Sequence, residues 1–279
     1  MVCPPSNNFL LLVPYFALLI STKWILLLVR LKVFIYYLSA MCTVTYLPLG
    51  TDEFLFTSNR DESPLRRASA IQQTERGTKQ LLFPQDSLAK GTWIALSDHN
   101  QMVCILNGAF TRHHHRPPYR LSRGLMALQF FEYNDATAFS RHFEFEGMEP
   151  FTMVIYDQQR LFDVRWDEQQ LHFTELAPDQ AHLWSSPTLY DSNWQAKRQD
   201  WFKNWREQQE SYTSPNILHF HQTAGEGNPE YDLVMNRANI VRTTSITHIA
   251  KKADRAILRY QTILTDEVTE RELKLRTTV

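Results

Sequence analysis

β-Branched and aromatic residues gather in short runs along much of this 279-residue chain, as is typical of β-strands. After residue 40 the first two runs lie at 43–47 and 53–57, with Pro48, Gly50 and Asp52 supplying a turn between them. The sequence therefore predicts a hairpin that places Cys42 at one end, close to residues 59–61.

Further strands are predicted from similar runs. Residues 91–96 and 102–106 form a second candidate hairpin, and single strands are expected at 151–156, 161–166, 170–176, 240–249, 256–264 and 272–275. Residues 63–90 are polar, and we expect them to be irregular, with only weak strand signals at 70–73 and 80–83.

Apolar residues at helical spacing predict several helices between these groups of strands. They cover 122–133 and 136–143, then 193–209, where Trp194, Arg198, Trp201, Phe202 and Trp205 share one face and the tryptophans are expected to pack in the core. A short helix is expected to begin with Ser214 as its N-cap and Pro215 in its first turn, and to end before Gly225. Because helices separate groups of strands rather than following each strand, the pattern predicts an α+β fold of antiparallel sheets covered by helices.

Residues 1–40 differ in composition from residues 41–279, which we take as the folded domain. The segment 9–38 is strongly apolar but is interrupted by Lys23, Arg30 and Lys32, and its longest uncharged run is shorter than the roughly 20 residues that a membrane-spanning helix needs. Three interpretations stay open: a start codon assigned too early, with Met41 as the true start, a membrane-anchoring helix, or a signal-like segment.

Charge and cysteine content narrow the functional class. The formal net charge is −1 with no basic stripe, which argues against nucleic acid as a partner. Cys3, Cys42 and Cys104 have neither a disulfide framework nor metal-site spacing, so we expect a cytoplasmic protein. Membrane attachment is expected only if residues 9–38 are part of the translated protein.

The pair Met41-Cys42 suggests a specific chemistry. If the mature chain begins at Cys42, its α-amine, with a pKa of about 7.7–8.0, is a base beside a thiol with a pKa of about 8.5. A free amine next to a thiol is the arrangement of an amino-terminal nucleophile. The alternative is that Cys42 is a small buried side chain at the start of a strand.

The charged group after the first hairpin is the second candidate element. Asp61 could hold the ammonium group of residue 42, and Arg60 could fix Asp61 or bind the carbonyl side or an anionic group of the substrate. In the alternative, Asn59 and Asp61 cap turns and Arg60 pairs with Glu62.

One further candidate and several histidines complete the list. Asn107 could donate its side-chain amide to an oxyanion, a contact worth about 3–4 kcal/mol, or it could be a turn residue before Gly108. Cys104, within an apolar run, is expected to be inert. The histidines at 113–115, 219 and 221 lack the spacing of a preformed metal site, so no metal is expected and structural roles are favoured, with one of the last two as a haem ligand left open.

Several of these motifs together resemble the NRDE family, also called the transport-and-Golgi-organisation-2 type. The residues that carry the resemblance are Met41-Cys42, Ser58-Asn59-Arg60-Asp61-Glu62, Gly91-Thr92-Trp93, Leu106-Asn107 and Thr243-Thr244-Ser245-Ile246. The family is similar to N-terminal-nucleophile (Ntn) hydrolases, which implies an αββα four-layer sandwich, two antiparallel sheets flanked by helices. It also resembles the branch of bile-salt hydrolase and penicillin V acylase, in which an Asp follows the cysteine by nineteen residues, as Asp61 follows Cys42.

The resemblance also has departures, and it implies two alternative functions. Ser186 stands where an oxyanion-binding Asn is common, and we interpret Arg242 as the arginine of a Gly-Thr-Arg pattern. Asn59, Ser186 and Arg242 are therefore the expected substrate-binding residues. The resemblance implies a hydrolase that cleaves a C–N amide bond of a small molecule without a cofactor. The alternative is a non-catalytic protein of the same fold that binds or transports haem or a lipid.

Overall fold

The computed structural model describes residues 41–66 and 68–276. Within these residues the strands are β1 (Met41–Gly50), β2 (Glu53–Glu62), β3 (Ala68–Arg76), β4 (Lys79–Asp86), β5 (Ile94–Ser97), β6 (Gln101–Asn107), β7 (Phe151–Asp157), β8 (Arg160–Trp166), β9 (Leu171–Leu176), β10 (His182–Ser185), β11 (Asn236–Arg237), β12 (Val241–Lys252), β13 (Arg255–Thr262) and β14 (Val268–Lys274). The helices are α1 (Arg123–Gln129), α2 (Ala136–His142), α3 (Ser192–Glu207) and α4 (Ser214–Thr223), and a 3-10 turn covers Phe130–Glu132.

The strands form two antiparallel sheets. The first has the order β10-β1-β2-β12-β13-β14, with β11 added beside β12, and the second has the order β3-β4-β5-β6-β7-β8-β9. The second sheet is thus a simple meander, whereas the first brings the start of the domain next to its end. The predicted α+β class with antiparallel sheets is confirmed.

Among the described residues, three separate hydrophobic cores show that the layers are stacked helix, sheet, sheet, helix. Side chains of β4 illustrate the division: Leu82 packs between the two sheets, whereas Leu81 and Phe83 pack on the helix side of the second sheet. The core between the sheets also contains Val44 of β1, and the third core joins Leu47 of the same strand to α3 and α4. Because strand side chains alternate between faces, each sheet supplies two of these cores at once. The αββα sandwich is therefore confirmed.

The prediction that residues 63–90 are mainly irregular is wrong, although the weak strand signals at 70–73 and 80–83 lie within the observed strands. Strands β3 and β4 form a hairpin there, and β3 is the edge strand of the second sheet. Most side chains of β3 from residue 73 onward are exposed, so the strand carries polar residues that hide the usual apolar signal.

Other differences are local. Strand β10 was not predicted because it is only four residues long, although it pairs with β1 at the edge of the first sheet. Helix α4 has Thr213, not Ser214, as its N-cap. The second hairpin begins at Ile94 rather than residue 91, since Gly91 lies against the backbone of Gly124, where an added Cβ would be 2.4 Å from the carbonyl carbon.

Within residues 41–66 and 68–276, no helix is long and apolar enough to cross a membrane. The apolar segment 9–38 lies outside the described residues. The three interpretations of that segment therefore stay predictions.

Candidate active site at the first hairpin

The ladder between β1 and β2 places Cys42 opposite Arg60 and Met41 opposite Asp61. Opposing residues in an antiparallel pair have Cα atoms about 4.5–5.5 Å apart, so the backbone nitrogen of Cys42 lies near both positions. The predicted hairpin is confirmed, and it brings these candidates together; the thiol of Cys42 lies outside the described atoms. Since successive strand residues point to opposite faces, Arg60 and Asp61 belong to different environments.

Arg60 belongs to a buried cluster of charges. Its Nη2 atom donates to Asp86 Oδ2 over 2.8 Å and lies 3.6 Å from Glu62 Oε2, and its guanidinium group is 4.5 Å from the centre of the Trp93 ring. Arg66 contacts the same two carboxylates at 2.8 and 3.0 Å. The cluster therefore contains two cations and two anions and is balanced in charge.

Protonation within this cluster follows from burial and hydrogen bonding. Burial raises the pKa of Glu62, because the charges of Arg60 and Arg66 only partly offset the loss of water. Burial also acts to raise the pKa of Asp86, but the backbone N–H of Ala89 and the two arginines outweigh it and lower that pKa.

Asp61 lies on the other face, in a group of mostly neutral partners. It is fully buried; the hydroxyl of Tyr190 donates to Oδ2 over 2.9 Å and that of Thr243 to Oδ1 over 2.6 Å. Burial raises the pKa of Asp61 to about 6, against the lowering effects of Thr243, Arg198, Tyr190 and Arg237. Among the described residues no Lys, Arg or His nitrogen lies within ion-pair distance of this carboxylate.

Arg198 is a buried arginine on α3 that lies beside the Asp61 group. The sequence predicted its place in the helix but did not identify it as a site residue. Its guanidinium group lies 3.4 Å from the centre of the Tyr190 ring and donates to the hydroxyl of Thr43, and to the carbonyls of Tyr231 at 2.6 Å and Asp232 at 3.1 Å. An arginine within the tryptophan-rich face of the helix was the signal that could have identified it. No sequence signal marked Tyr190.

Asn59 is held in a buried network on the same face. Its Nδ2 donates to the carbonyls of His221 and Leu233 at 3.0 and 2.7 Å, and its Oδ1 accepts from His221 Nδ1 at 2.5 Å. The imidazole is therefore a neutral Nδ1–H tautomer whose Nε2 accepts from the Thr45 hydroxyl, and burial lowers the pKa of His221 to about 3. The whole amide of Asn59 is thus used inside the protein, while its predicted part in substrate binding stays a prediction.

Asn107 and Ser186 are brought into contact. Ser186 Oγ donates to the Asn107 carbonyl over 2.7 Å, and Gly108, with φ of +79°, allows the segment after Ser186 to approach, since a Cβ there would lie 2.7 Å from Thr188. The Nδ2 atom of Asn107 is buried and has no hydrogen-bond partner among the described residues. Strand β6, which ends at Asn107, packs against β1.

A pocket of about 310 Å³ borders the Arg60 cluster. Arg66, Thr244 and Tyr260 contribute to its wall, and the hydroxyl of Thr244 donates to the Arg60 carbonyl over 3.1 Å. The backbone of Arg242 lies opposite that of Glu62 in the β12–β2 ladder. The buried Nε of Arg242 has no hydrogen-bond partner among the described residues. The structure therefore places Arg242 at the same end of the first sheet as Arg60.

The histidine loop is attached to a single carboxylate. His113 Nε2 and His115 Nδ1 lie 3.1 and 2.9 Å from Glu149 Oε1, and Arg123 lies 2.9 Å from Oε2. Burial acts to raise the pKa of Glu149, but these partners lower it to about 2. In the part of the chain that the structure describes, no group of three or more His, Cys, Asp or Glu side chains is arranged to hold a metal ion.

Comparison with known protein families identifies the family to which the chain belongs. The family model of Transport and Golgi organisation 2 matches residues 41–262. The chain belongs to this family. The Transport and Golgi organisation 2 match begins at Met41 and covers both faces of the first hairpin and strand β12. No curated protein sequence matches the chain.

The fold of this family member is also similar to the folds of solved structures. It is similar to a cysteine-to-alanine mutant of conjugated bile acid hydrolase from Clostridium perfringens, with a TM-score of 0.54 and 10% identity over 84% of this chain and 92% of that chain. An arginine-to-leucine variant of the same hydrolase gives a TM-score of 0.52 at 10% identity over 85% and 97% of the two chains. At this identity the likeness shows a shared Ntn-hydrolase fold.

Proposed function

We propose that this protein hydrolyses a C–N amide bond of a small molecule, with Cys42 as an amino-terminal nucleophile. One observation carries the proposal: Asp61 is a buried carboxylate whose described hydrogen-bond donors are the neutral hydroxyls of Tyr190 and Thr243. It lies opposite Met41 in the strand ladder, beside the backbone nitrogen of Cys42.

A buried carboxylate without a cation is costly, because water no longer stabilises its charge. Removal of Met41 would turn the backbone nitrogen of Cys42 into an α-amine, which is cationic when protonated. An ionised carboxylate can accept about four hydrogen bonds, and the described donors to Asp61 use two of its lone pairs. An α-ammonium group would therefore supply both the charge and the hydrogen bonds that this position favours.

The reaction follows from a thiol and an amine on one residue. The amine of Cys42 accepts the thiol proton, and the sulfur attacks the substrate carbonyl to form a tetrahedral oxyanion. Collapse breaks the C–N bond, the ammonium group protonates the leaving amine, and a thioester remains on the sulfur. Water, deprotonated by the same amine, then hydrolyses the thioester and restores the thiol. Asp61 would stabilise the ammonium state during both steps.

Two further features support this chemistry. The buried Nδ2 of Asn107 is a donor without a described partner, as an oxyanion site requires. The pocket beside the Arg60 cluster, about 310 Å³, is at the lower end of the range of small-molecule sites. Conjugated bile acid hydrolase, one of the solved proteins with a similar fold, is itself named as a hydrolase of a conjugate.

Two measurements test the proposal. The intact mass of the protein isolated from cells should correspond to a chain that begins at Cys42. A thiol-reactive acyl-amide probe should then label the wild type and not Cys42→Ala, whereas Cys104→Ala should be labelled normally. Cys104 is a matched control because burial raises its thiol pKa to about 12. A mass that begins at Met1, or equal labelling of Cys42→Ala, would contradict the proposal.

A non-catalytic role in binding haem or a lipid is the second candidate, and one observation favours it. A groove of about 580 Å³ between α3 and α4 is lined by Trp201, Trp205 and Phe220, with His219 at its wall. An imidazole at the wall of an aromatic groove could serve as an axial ligand of haem iron. Haem titration should then give a spectral change that His219→Ala reduces and Cys42→Ala preserves, with His142→Ala as the control. A titration without a spectral change would exclude haem as the ligand.

A further inference from the structure

We propose that Tyr190 and Arg198 are positioning residues for the candidate catalytic centre, holding Asp61 and the start of β1 in their working arrangement. This inference rests on the proposed function of Cys42. The inference gives α3 and the segment before it a role in the reaction. Neither of these two regions belongs to the motifs around Cys42.

The first step is that one segment contacts both sides of the candidate centre. The Tyr190 hydroxyl binds Asp61 Oδ2 over 2.9 Å, and Arg198 donates to the hydroxyl of Thr43, the residue directly after Cys42. The guanidinium group of Arg198 lies over the Tyr190 ring, 3.4 Å from its centre. The two contacts are therefore joined into one unit.

The second step is that this unit is buried and well anchored. Tyr190 and Arg198 are fully buried, and Arg198 also donates to the carbonyls of Tyr231 and Asp232. A buried arginine whose described hydrogen-bond acceptors are a hydroxyl and carbonyls lacks the anion that would normally compensate it. The charge of Arg198 lowers the pKa of Asp61, although the two side chains form no ion pair.

The third step concerns the charge state of Asp61. Tyr190, Arg198 and Arg237 are the titratable groups that face it among the described residues, and Thr243 adds a hydroxyl. Each of these four lowers the pKa of Asp61 against the effect of burial. Removal of the Tyr190 hydroxyl or of the Arg198 charge should therefore raise that pKa further, so that Asp61 loses its charge at a higher pH.

A neutral Asp61 would no longer stabilise the ammonium group that forms when the amine accepts the thiol proton. The fraction of thiolate at Cys42 should then fall at the pH values where Asp61 is protonated. The consequence is a shift of the acid limb of Cys42 reactivity to higher pH, which a purely structural role of Tyr190 would not produce.

The experiment measures the rate at which iodoacetamide alkylates Cys42 between about pH 5 and pH 9, a range that spans the titration of Asp61 and of the amine. The protein is used in the form that cells produce, and peptide mapping separates Cys42 from Cys3 and Cys104. Tyr190→Phe keeps the ring under Arg198 and removes only the hydroxyl, so we expect its acid limb to move up by about one pH unit. Arg198→Gln should shift it in the same direction.

Two control variants come from the same region. Arg206→Gln changes another arginine of α3, which lies over Phe202, and Tyr212→Phe changes a tyrosine that stacks on Trp205. Neither control should move the profile. If Arg198→Gln proves unfolded by circular dichroism, Tyr190→Phe alone decides the question.

The outcomes separate this inference from the proposed function. A wild-type profile in folded Tyr190→Phe would overturn the inference, whatever the acyl-amide probe shows. A shifted profile in a protein that cleaves no amide would support the positioning role for a reactive thiol while the hydrolase proposal fails.

Discussion

Neighbouring residues of β2 occupy two polar environments that differ in their charge balance. Between the sheets, Arg60 and Arg66 face Glu62 and Asp86, so two cations meet two anions. On the helix side, Asp61 accepts hydrogen bonds from hydroxyl groups and has no ion-pair partner among the described residues. The first cluster is balanced in charge, whereas the carboxylate of Asp61 is influenced by the charges of Arg198 and Arg237 without forming an ion pair among the described residues.

This difference suggests how to separate structural from functional polar groups. A buried network whose charges and hydrogen bonds are satisfied stabilises the fold without a ligand. A buried group that keeps an unused donor, acceptor or charge costs stability, and such a cost is common at functional sites. By this criterion the paired charges of Arg60 favour a structural role, although Glu62 Oε2 in its cluster has no hydrogen bond among the described residues. Asp61 and Asn107 are the stronger functional candidates.

The largest effect is expected for the balanced cluster. Arg60→Met should destabilise the protein by about 3–5 kcal/mol, because it leaves Glu62 and Asp86 as buried carboxylates with one cation between them. Urea unfolding at neutral pH measures the change. Arg160→Met is the control: Arg160 pairs with Glu175 at 2.6 Å, but both side chains are about half exposed, so we expect a loss of only about 0–1 kcal/mol. Equal losses in the two variants would mean that the cluster between the sheets is not a buried charge network.

The next effect, at Asp61, should depend on the state of the amino terminus. The pKa of Asp61 is about 6 in the folded protein and 3.8 as its ordinary value, so its carboxyl group favours folding fully below pH 3.8 and loses this contribution as the pH rises through 6. This difference corresponds to about 3 kcal/mol. In a chain that retains Met41, Asp61→Asn should therefore be more stable than the wild type at pH 8 by up to about 3 kcal/mol, and the two should converge near pH 4.

In a chain that begins at Cys42 the sign should be reversed. The α-ammonium group would pair with the carboxylate, and Asp61→Asn would leave that cation without its partner, so the variant should be less stable than the wild type at neutral pH. Urea unfolding of both forms at pH 4 and pH 8, with the amino terminus verified by mass, measures the difference. The same sign in both forms would show that Asp61 does not bind the amine.

A smaller loss is expected where the helix-side network is fully satisfied. Asn59→Ala removes three hydrogen bonds to His221 and the Leu233 carbonyl, which should cost about 2–3 kcal/mol in urea unfolding. Gln222→Ala, which removes one bond of 3.2 Å to Gln261 at an exposed position, should cost less than about 0.5 kcal/mol. A neutral Asn59→Ala would remove the structural role and favour the predicted contact with substrate.

The sequence predicts the contacts of this arrangement between residues that are close in the chain, but not those between residues that are far apart. The hairpin that joins Cys42 to Arg60 and Asp61 follows from two strand-like runs and a turn, and the structure confirms it. Tyr190 lies 129 residues from Asp61, and neither its type nor its spacing indicates that they meet. Strand β10 was missed for a related reason, since a four-residue strand depends on its partner β1 rather than on its own pattern.

The smallest effect on stability is expected at Asn107, although its effect on reactivity should be large. Its Nδ2 has no described partner, so Asn107→Ala loses no hydrogen bond there and should change the free energy of unfolding by less than about 1 kcal/mol. If the amide binds the oxyanion, labelling of Cys42 by the acyl-amide probe should fall by about 10²–10³-fold. Ser186→Ala is the matched control, because its hydroxyl is already used by the Asn107 carbonyl and its loss should cost about 1 kcal/mol. Slow labelling in the control but not in Asn107→Ala would transfer the oxyanion role to Ser186, whereas an unstable Asn107→Ala would place Asn107 with the satisfied structural residues.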